Sequence, residues 1–320
     1  MAEFRTYTAI GQREDLSNTI FNIAPTETPV VSSIGKTKAT ATYHEWQTDD
    51  LAAASAAGLI EGADASGASD TPTVRVGNRT QIQGKTVHVS GTLDAVDKAG
   101  RKTETAYQLA KAGQELKRDM EKTILGNVAA SNGTAGSAAR LLGSIQTWLG
   151  TNFVTMTDGV APVGANGTAA RTEGATASAF TEAKLKEVVK SCFENGGNPT
   201  LLVVPPTQKQ VVSTFTGIAE QRYQAPAAKA TTIIGAADVY LSDFGTLSVV
   251  PDRFMTADTT PDAEQALVLD PTMASVATLR PFESNLLAKT GDSEKHQMLV
   301  EYTLQVSNEK AHGIVADLAV

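Results

Sequence analysis

The 320-residue chain has a single cysteine, Cys192, so an internal disulfide framework and the thiolate clusters of structural zinc or iron–sulfur sites are excluded. Aromatic residues make up 5%, and 27 Lys plus Arg stand against 35 Asp plus Glu, a formal net charge of −8. Neither a base-stacking platform nor a duplex-binding surface of clustered phosphate contacts fits such a composition. No apolar run approaches the roughly 18 residues of a spanning helix, and the opening MAEFRTYTAIGQRED has no apolar core of a secretory signal. Ala2 in place of glycine excludes N-myristoylation. A soluble chain without a membrane segment or its own export signal is expected. What is present, 41% hydrophobic and 19% charged residues, is the composition of a folded protein, long enough for two ordinary domains or one large domain with projections.

Leu16, Ile20 and Ile23 are spaced for a short helix over Gln12–Ile23, with Pro25 and Pro29 as its stop. Ala39–Trp46 alternates as a strand. From Gln47 to Thr73 almost the only large apolar residues are Leu51, Leu59 and Ile60, an unusually long loop for a compact domain. A ribbon-like segment follows, with Val74, Val76, Ile82, Val87 and Val89. Charge divides along this region. Tyr43 to Asp70 carries Glu45, Asp49, Asp50, Glu61, Asp64 and Asp70 without a cation, whereas Thr71 to Leu93 carries Arg75, Arg79 and Lys85 without an acid. Two arms of opposite charge suit a long two-stranded projection, since opposite charges attract across strands. A solvated linker with a chance asymmetry is the competing reading.

Arg101–Leu125 is the strongest helical pattern. Ala106, Leu109, Gly113, Leu116, Met120 and Ile124 form a narrow apolar stripe, with Lys111/Glu115 and Lys117/Glu121 at i,i+4. At about 1.5 Å per residue such a helix is roughly 37 Å long. Residues 127–179 read as loops and short strands around the island LLGSIQTWLGTNF. Leu185, Val188, Val189, Cys192 and Phe193 then mark a helix that ends at Gly196-Gly197. Leu201–Val204 reads as a short buried strand, with Pro205-Pro206 opening another helix. ADVYLSDFGTLSVVPD, EQALVLDP, MASVATLRP and a long HQMLVEYTLQVSNEKAHGIVADL complete the strands. The expected class is α+β with a mixed or antiparallel sheet.

Motifs for catalysis fail on their context. Gly35-Lys36-Thr37 and Gly84-Lys85-Thr86 lack the earlier glycine of a phosphate loop, Val30 and Arg79 standing there, and strand-like sequence follows each. Ser33-x-x-Lys36, Ser242-Asp243-Phe244 and Lys289-Thr290-Gly291 follow the order of the serine β-lactamase and penicillin-binding elements. However, Ser33 does not open a helix, and Phe244 stands where an amide is needed. Cys192 lies on an apolar helix face and reads as a buried hydrophobe. His44, His88, His296 and His312 are scattered through strand-like segments and read as surface or edge residues, without a metal-binding pair. Asp49-Asp50 and Glu61/Asp64 lack calcium-loop spacing. No catalytic residue, cofactor or metal is expected.

The order of segments, an arm, a long projection, an extra-long helix, an α+β body and closing strands, resembles the major capsid proteins of tailed bacteriophages with the Hong Kong 97-type fold. The more specific signal is Pro25-Thr26-Glu27-Thr28-Pro29 after a helix, then a strand with Trp46-Gln47-Thr48-Asp49, which resembles the opening of one phage capsid family. The resemblance implies an N-arm over 1–40, an extended β-hairpin loop over 41–95, a spine helix with peripheral domain over 96–180, an axial domain over 181–285 and return strands of the peripheral domain over 286–320. It further implies a non-enzymatic subunit that self-assembles as hexamers and pentamers into an icosahedral head enclosing double-stranded DNA, touched only non-specifically. The place of action would be the virion, with assembly in the host cytoplasm. Portal, scaffold or decoration proteins are the implied partners. Because the arm begins almost at Met1, without a scaffold-like extension, a separate scaffold or protease step, or assembly without one, is expected. Inter-subunit contacts are expected from Asp49, Asp50, Glu61, Asp64, Arg75, Arg79 and Lys85 on the extended loop and from Leu16, Ile20, Phe21, Pro25 and Pro29 on the N-arm, with Leu109, Leu116, Met120 and Ile124 on the spine helix. An encapsulin-type nanocompartment shares the implied fold and is the nearest alternative; a serine hydrolase using Ser33 and Lys36 is the alternative from another class.

Overall fold

The computed structural model describes residues 24–56, 58, 60–62, 64, 72–155, 158–215, 238–255 and 265–319. The helix expected over Gln12–Ile23, with Leu16, Ile20 and Phe21, lies outside the described residues. Pro29 begins helix α1 (Pro29–Ser33). Its ring holds a helical φ, and its missing N–H has no intrahelical partner at that position anyway. The strand expected over Ala39–Trp46 begins only at Tyr43, as β2 (Tyr43–Thr48), and a separate strand, β1 (Gly35–Lys38), precedes it. The chain then returns in β3 (Val74–Arg79), antiparallel to β2, with Tyr43 opposite Arg79 and Thr48 opposite Val74.

After β4 (Gln81–Ser90) and the short α2 (Gly91–Ala95) comes the long helix α3 (Glu104–Leu125), 22 residues and about 33 Å at ~1.5 Å per residue. It starts at Glu104 because Asp94 of α2 reaches across and accepts the Glu104 amide at 2.8 Å, capping a donor that the helix cannot satisfy itself. Leu116, Met120 and Ile124 are buried as the stripe predicts, whereas Leu109 and Gly113 are half-buried and Ala106 is exposed. The N-terminal half of the helix therefore runs along the margin of the body, and only its C-terminal half enters the core.

The remaining elements are β5 (Phe153–Thr155), α4 (Glu182–Glu194), β6 (Leu201–Val204), α5 (Pro206–Val212), β7 (Val239–Ser242), β8 (Gly245–Pro251), β9 (Ala266–Leu269), β10 (Ala274–Leu286), β11 (Ser293–Val306) and β12 (Gly313–Ala316). They build two layers. One sheet has the order β1-β10-β11-β4; the other is mixed, with the order β5-β12-β9-β6-β8-β7. In the mixed sheet, Leu201, Val203, Leu267, Leu269, Ile314 and Ala316 face one core, and their alternate neighbours Leu202, Val204, Ala266, Val268 and Val315 face another. Two buried faces explain why these strands read as continuous apolar runs without alternation.

The first core is shared with α1, α3 and the other sheet through Val30, Ile34, Met120, Ile124, Val276, Val300, Tyr302 and Leu304. The second lies under α4, where Leu185, Val188, Val189 and Cys192 are buried. Burial pushes the Cys192 thiol up to about 12, which keeps it a protonated, inert packing group. Phe193, expected on the same face, is exposed and instead stacks on Phe244 at 4.8 Å between ring centroids. Gly196, at φ +84°, takes the left-handed position after the helix. The long closing strand divides in two. Asn308 accepts the Lys310 amide and starts a 3-10 turn over Glu309–Ala311, so β11 and β12 enter different sheets.

His312, expected at a surface or sheet edge, is fully buried beside β9. Its Nδ1 accepts the Asp270 amide at 3.1 Å, which fixes a neutral ring. Burial holds its pKa down at about 4, against the opposing pull of Asp270 and a backbone hydrogen bond near Met273. A histidine with a depressed native pKa binds its proton more readily when unfolded, so its contribution is present at neutral pH and is lost as pH falls from about 6.5 to about 4. Relative to H312N, wild-type stability in urea is expected to decline by about 3 kcal/mol over that interval; parallel pH profiles for the two proteins contradict this.

Candidate assembly surfaces

The hairpin β2–β3 packs on the body along the inner face of β2. On β2, His44, Trp46 and Thr48 turn inward: Trp46 packs on the buried Trp148 with ring centroids 5.3 Å apart, and His44 Nε2 lies 3.0 Å from Gln305 Oε1. Opposite Glu45, Gly77 is required by close approach, since a Cβ there would stand 2.8 Å from the His44 carbonyl oxygen. Next to it, Asn78 is completely buried. Its Nδ2 donates to the carbonyls of Gly143 at 2.9 Å and Leu304 at 2.8 Å, and its Oδ1 accepts the Gly143 amide at 2.8 Å. Thr80 donates to Glu301 at 2.8 Å, and that buried carboxylate is also paired with Arg140 and with Arg280 at 2.8 Å. Sequence reading missed Asn78 and Thr80. The available signal was the polar run Gly77-Asn78-Arg79-Thr80 breaking an otherwise alternating ribbon.

The charges of the extended loop divide differently from expectation. Arg75 makes a two-pronged pair with Glu45 at 2.7 and 2.9 Å, and this hydrogen bond raises its pKa. Arg79 lies over the Tyr43 ring at 4.9 Å and donates to Asn132 at 3.0 Å. Lys85 belongs to β4 and bridges to the long helix, 2.9 Å from Asp119 and 3.9 Å from Glu115. Asp50 pairs with Lys310 at 2.6 Å. Among the described residues, the expected pairing of acidic and basic arms is thus realised by Glu45–Arg75, because the hairpin ends at Arg79 and β4 leaves it to join β11. Asp49, Glu61 and Asp64 are exposed and make no ion pair among the described residues.

On the long helix, Lys111 and Glu115 pair at 3.9 Å, but the expected Lys117–Glu121 pair does not form. Glu121 is fully buried and accepts the amides of Val30 at 2.6 Å and Val31 at 2.8 Å. Pro25 and Pro29 of the arm are half-buried. The two Gly-Lys-Thr triplets lie within β1 and β4. The serine-hydrolase elements sit on separate elements with their hydroxyls engaged locally: Ser33 donates to the Pro29 carbonyl at 2.6 Å, and Ser242 to that of Gly245 at 2.7 Å.

Two projecting regions expose large apolar side chains. In the segment between β2 and β3, Leu51 is 98% and Ile60 81% exposed. At the far end of the β10–β11 hairpin, Phe282, Leu286 and Leu287 are exposed, beyond the reach of β1, which pairs with β10 only over Ser275–Thr278. Single exposed apolar residues are ordinary; grouped on elements that leave the body, they form candidate contact surfaces.

This division into a two-layer body, a long marginal helix and projecting hairpins is matched along the whole chain by the profile of the SU10 major capsid protein family, which covers residues 4–319. The chain belongs to the SU10 major capsid protein family. A major capsid protein of Escherichia phage Phieco32 is 40% identical over 123 residues, 38% of this chain and 35% of that relative, so the match spans about a third of the relative's length. Among solved structures, one from Gordonia phage Cozz superposes with a TM-score of 0.62 at 13% identity, covering 97% of this chain and 92% of that one. The capsid of a native GTA particle gives 0.60 at 12% identity, with 98% and 97% covered. The holo-SrpI encapsulin of Synechococcus elongatus PCC 7942 gives 0.54 at 10% identity, with 99% and 96% covered. At these identities the likeness concerns the fold, which is the Hong Kong 97-type capsid fold. In its terms α3 is the spine helix.

The hairpin base is expected to depend on Asn78. Asn78→Ala leaves the Gly143 amide and the Gly143 and Leu304 carbonyls without this partner and should cost about 3 kcal/mol in urea unfolding. A loss below about 0.5 kcal/mol, the range of ordinary surface changes, would remove Asn78 as the anchor.

Proposed function

We propose that the chain is the major capsid subunit of a tailed phage, assembling with copies of itself through hexamers and pentamers into the icosahedral head that encloses double-stranded DNA. The observation that carries this reading is the family match over residues 4–319 on a chain whose projecting loop exposes Leu51 and Ile60. A contact of ordinary size, about 800 Å² per partner, is modest alone; repeated with several neighbours around a closed shell it gives a stable particle. Asp49, Glu61 and Asp64 are the loop charges left to select a partner and register. Asp50, Arg75, Arg79 and Lys85 act in this reading by holding the loop and β4 in place, being engaged within the chain. The formal charge of −8 keeps contact with packaged DNA weak and non-specific. The subunit's role is structural and without catalysis, its place is the virion after assembly in the host cytoplasm, and portal, scaffold or decoration proteins are the further partners.

Negative-stain microscopy of the purified protein is expected to show uniform hollow shells or capsomer rings; a monomer that persists at high concentration overturns the reading. The double variant L51S/I60S should melt as wild type does and yield at least about tenfold fewer shells, the loss following from apolar contacts worth about 1.5–3 kcal/mol each at an interface. Shells formed by L51S/I60S at the wild-type yield would remove the loop from the interface. The likeness to an encapsulin supports a second reading, a compartment for protein cargo, which is favoured if shells isolated from the native source hold protein and no DNA.

A further inference from the structure

The spine helix carries a buried acid that sequence pattern assigned to its wet face. Glu121 uses both carboxyl oxygens on α1, accepting the Val30 amide at 2.6 Å and the Val31 amide at 2.8 Å. Facing it from the turn that follows β8 is Asp252, also fully buried, whose Oδ1 accepts the Phe254 amide at 2.7 Å. Asp252 Oδ2 is buried and receives no hydrogen bond from any other group among the described residues. Two buried carboxylates in hydrogen-bond contact cannot both be ionised; one proton on Glu121, donated to Asp252, satisfies the leftover oxygen and removes the repulsion.

Among the described residues no cation bears on Glu121. α1 contributes only amides at this point. On α3, Lys117 and Lys122 are exposed, and Arg118 lies over the Phe254 ring at 5.6 Å; on the turn after β8, Arg253 is exposed. Among the described residues, Asp252 is the ionisable group that bears on Glu121, alongside the Val30 and Val31 amides.

We propose that Glu121 and Asp252 form a shared-proton joint that fastens the start of α1 and the end of β8 to the spine helix, and that loss of the proton releases both. The joint ties together the base of the N-arm, the long helix and the mixed sheet, three parts that also share the apolar core. It is a property of the single chain and stands independently of the assembly proposed above. The sense of the pH dependence follows from the buried pair. Burial, then the hydrogen bond to Asp252, push the Glu121 carboxyl up to about 8, and burial raises Asp252 as well. An opened, hydrated glutamate gives up its proton near 4.5. Opening therefore releases a proton between about pH 4.5 and pH 8, and the joint weakens across that window by about tenfold per pH unit before levelling off.

Hydrogen exchange at the Val30 and Val31 amides of the full chain, corrected for the intrinsic chemical rate, reads this opening directly. In wild type the opening constant should rise about tenfold per unit from pH 5.5 to 7.5; in Glu121→Gln, which keeps an acceptor for α1 and a neutral donor for Asp252, it should be flat. The same rise in both proteins, or none in wild type, overturns the proposal. Infrared spectroscopy of wild type needs no variant: a neutral-carboxyl band is expected at pH 7 and should vanish above about pH 8, and its absence at pH 7 equally overturns the joint. Should E121Q fail to fold, Asp252→Asn takes its place and should lower the pH at which that band disappears; an unchanged midpoint counts against the pair.

Discussion

The structure hangs from one apolar core that neither sheet could close alone. The mixed sheet buries both faces, and on one of them Leu201, Val203, Leu267 and Ile314 need cover that comes from Val276, Val300, Tyr302 and Leu304 of the other sheet and from Met120 and Ile124 of the spine helix. That requirement sets the position of the helix: its C-terminal half must lie between the layers, so its N-terminal half, where Ala106 is exposed and Leu109 half-covered, runs out along the margin. The loop carrying Leu51 and Ile60 and the outer end of the β10–β11 hairpin reach neither this core nor the one under α4, and they are left to project.

Polar groups do a different job from the core: they fix how the extended parts leave it. Asn78 fastens the hairpin base to Gly143 and Leu304, and Glu301 gathers Thr80, Arg140 and Arg280 beneath it. Near the last strand, Arg171 and Asp317, each with a side chain 1% exposed, lie 3.4 Å apart, and Arg171 also donates to Gln146. Such buried networks cost free energy when one partner is lost and so specify a single arrangement more than they add stability. In the proposed shell, where projections meet neighbours at a fixed angle, that specification matters more than affinity at the tip of a projection.

Much of this was legible from local chemistry. Period and caps gave α3 and α4, the apolar runs gave β6 and β9, and the paired prolines gave α5. Where reading failed, the deciding partner was far away in sequence. Lys117 and Glu121 stand at helical spacing, but the amides of Val30 and Val31, about ninety residues upstream, claim Glu121. His312 looks like any strand histidine until the Asp270 amide is placed against it. Pro29 reads equally as the end of one helix or the first residue of the next, and only the docking of α1 on Glu121 decides. For the candidate contact residues, sign patterning located the projection but not its pairing: Lys85 was one strand beyond the hairpin, and Arg75 found Glu45 rather than the acids nearer the tip.

In the proposed shell the projecting segments are completed by copies of the same chain. Cryo-electron microscopy of assembled particles tests it most directly at Leu51 and Ile60, which stand 98% and 81% exposed in the single chain. The account predicts both side chains in van der Waals contact with a neighbouring subunit. Finding them folded back onto their own body, or still facing solvent in the closed particle, would contradict it.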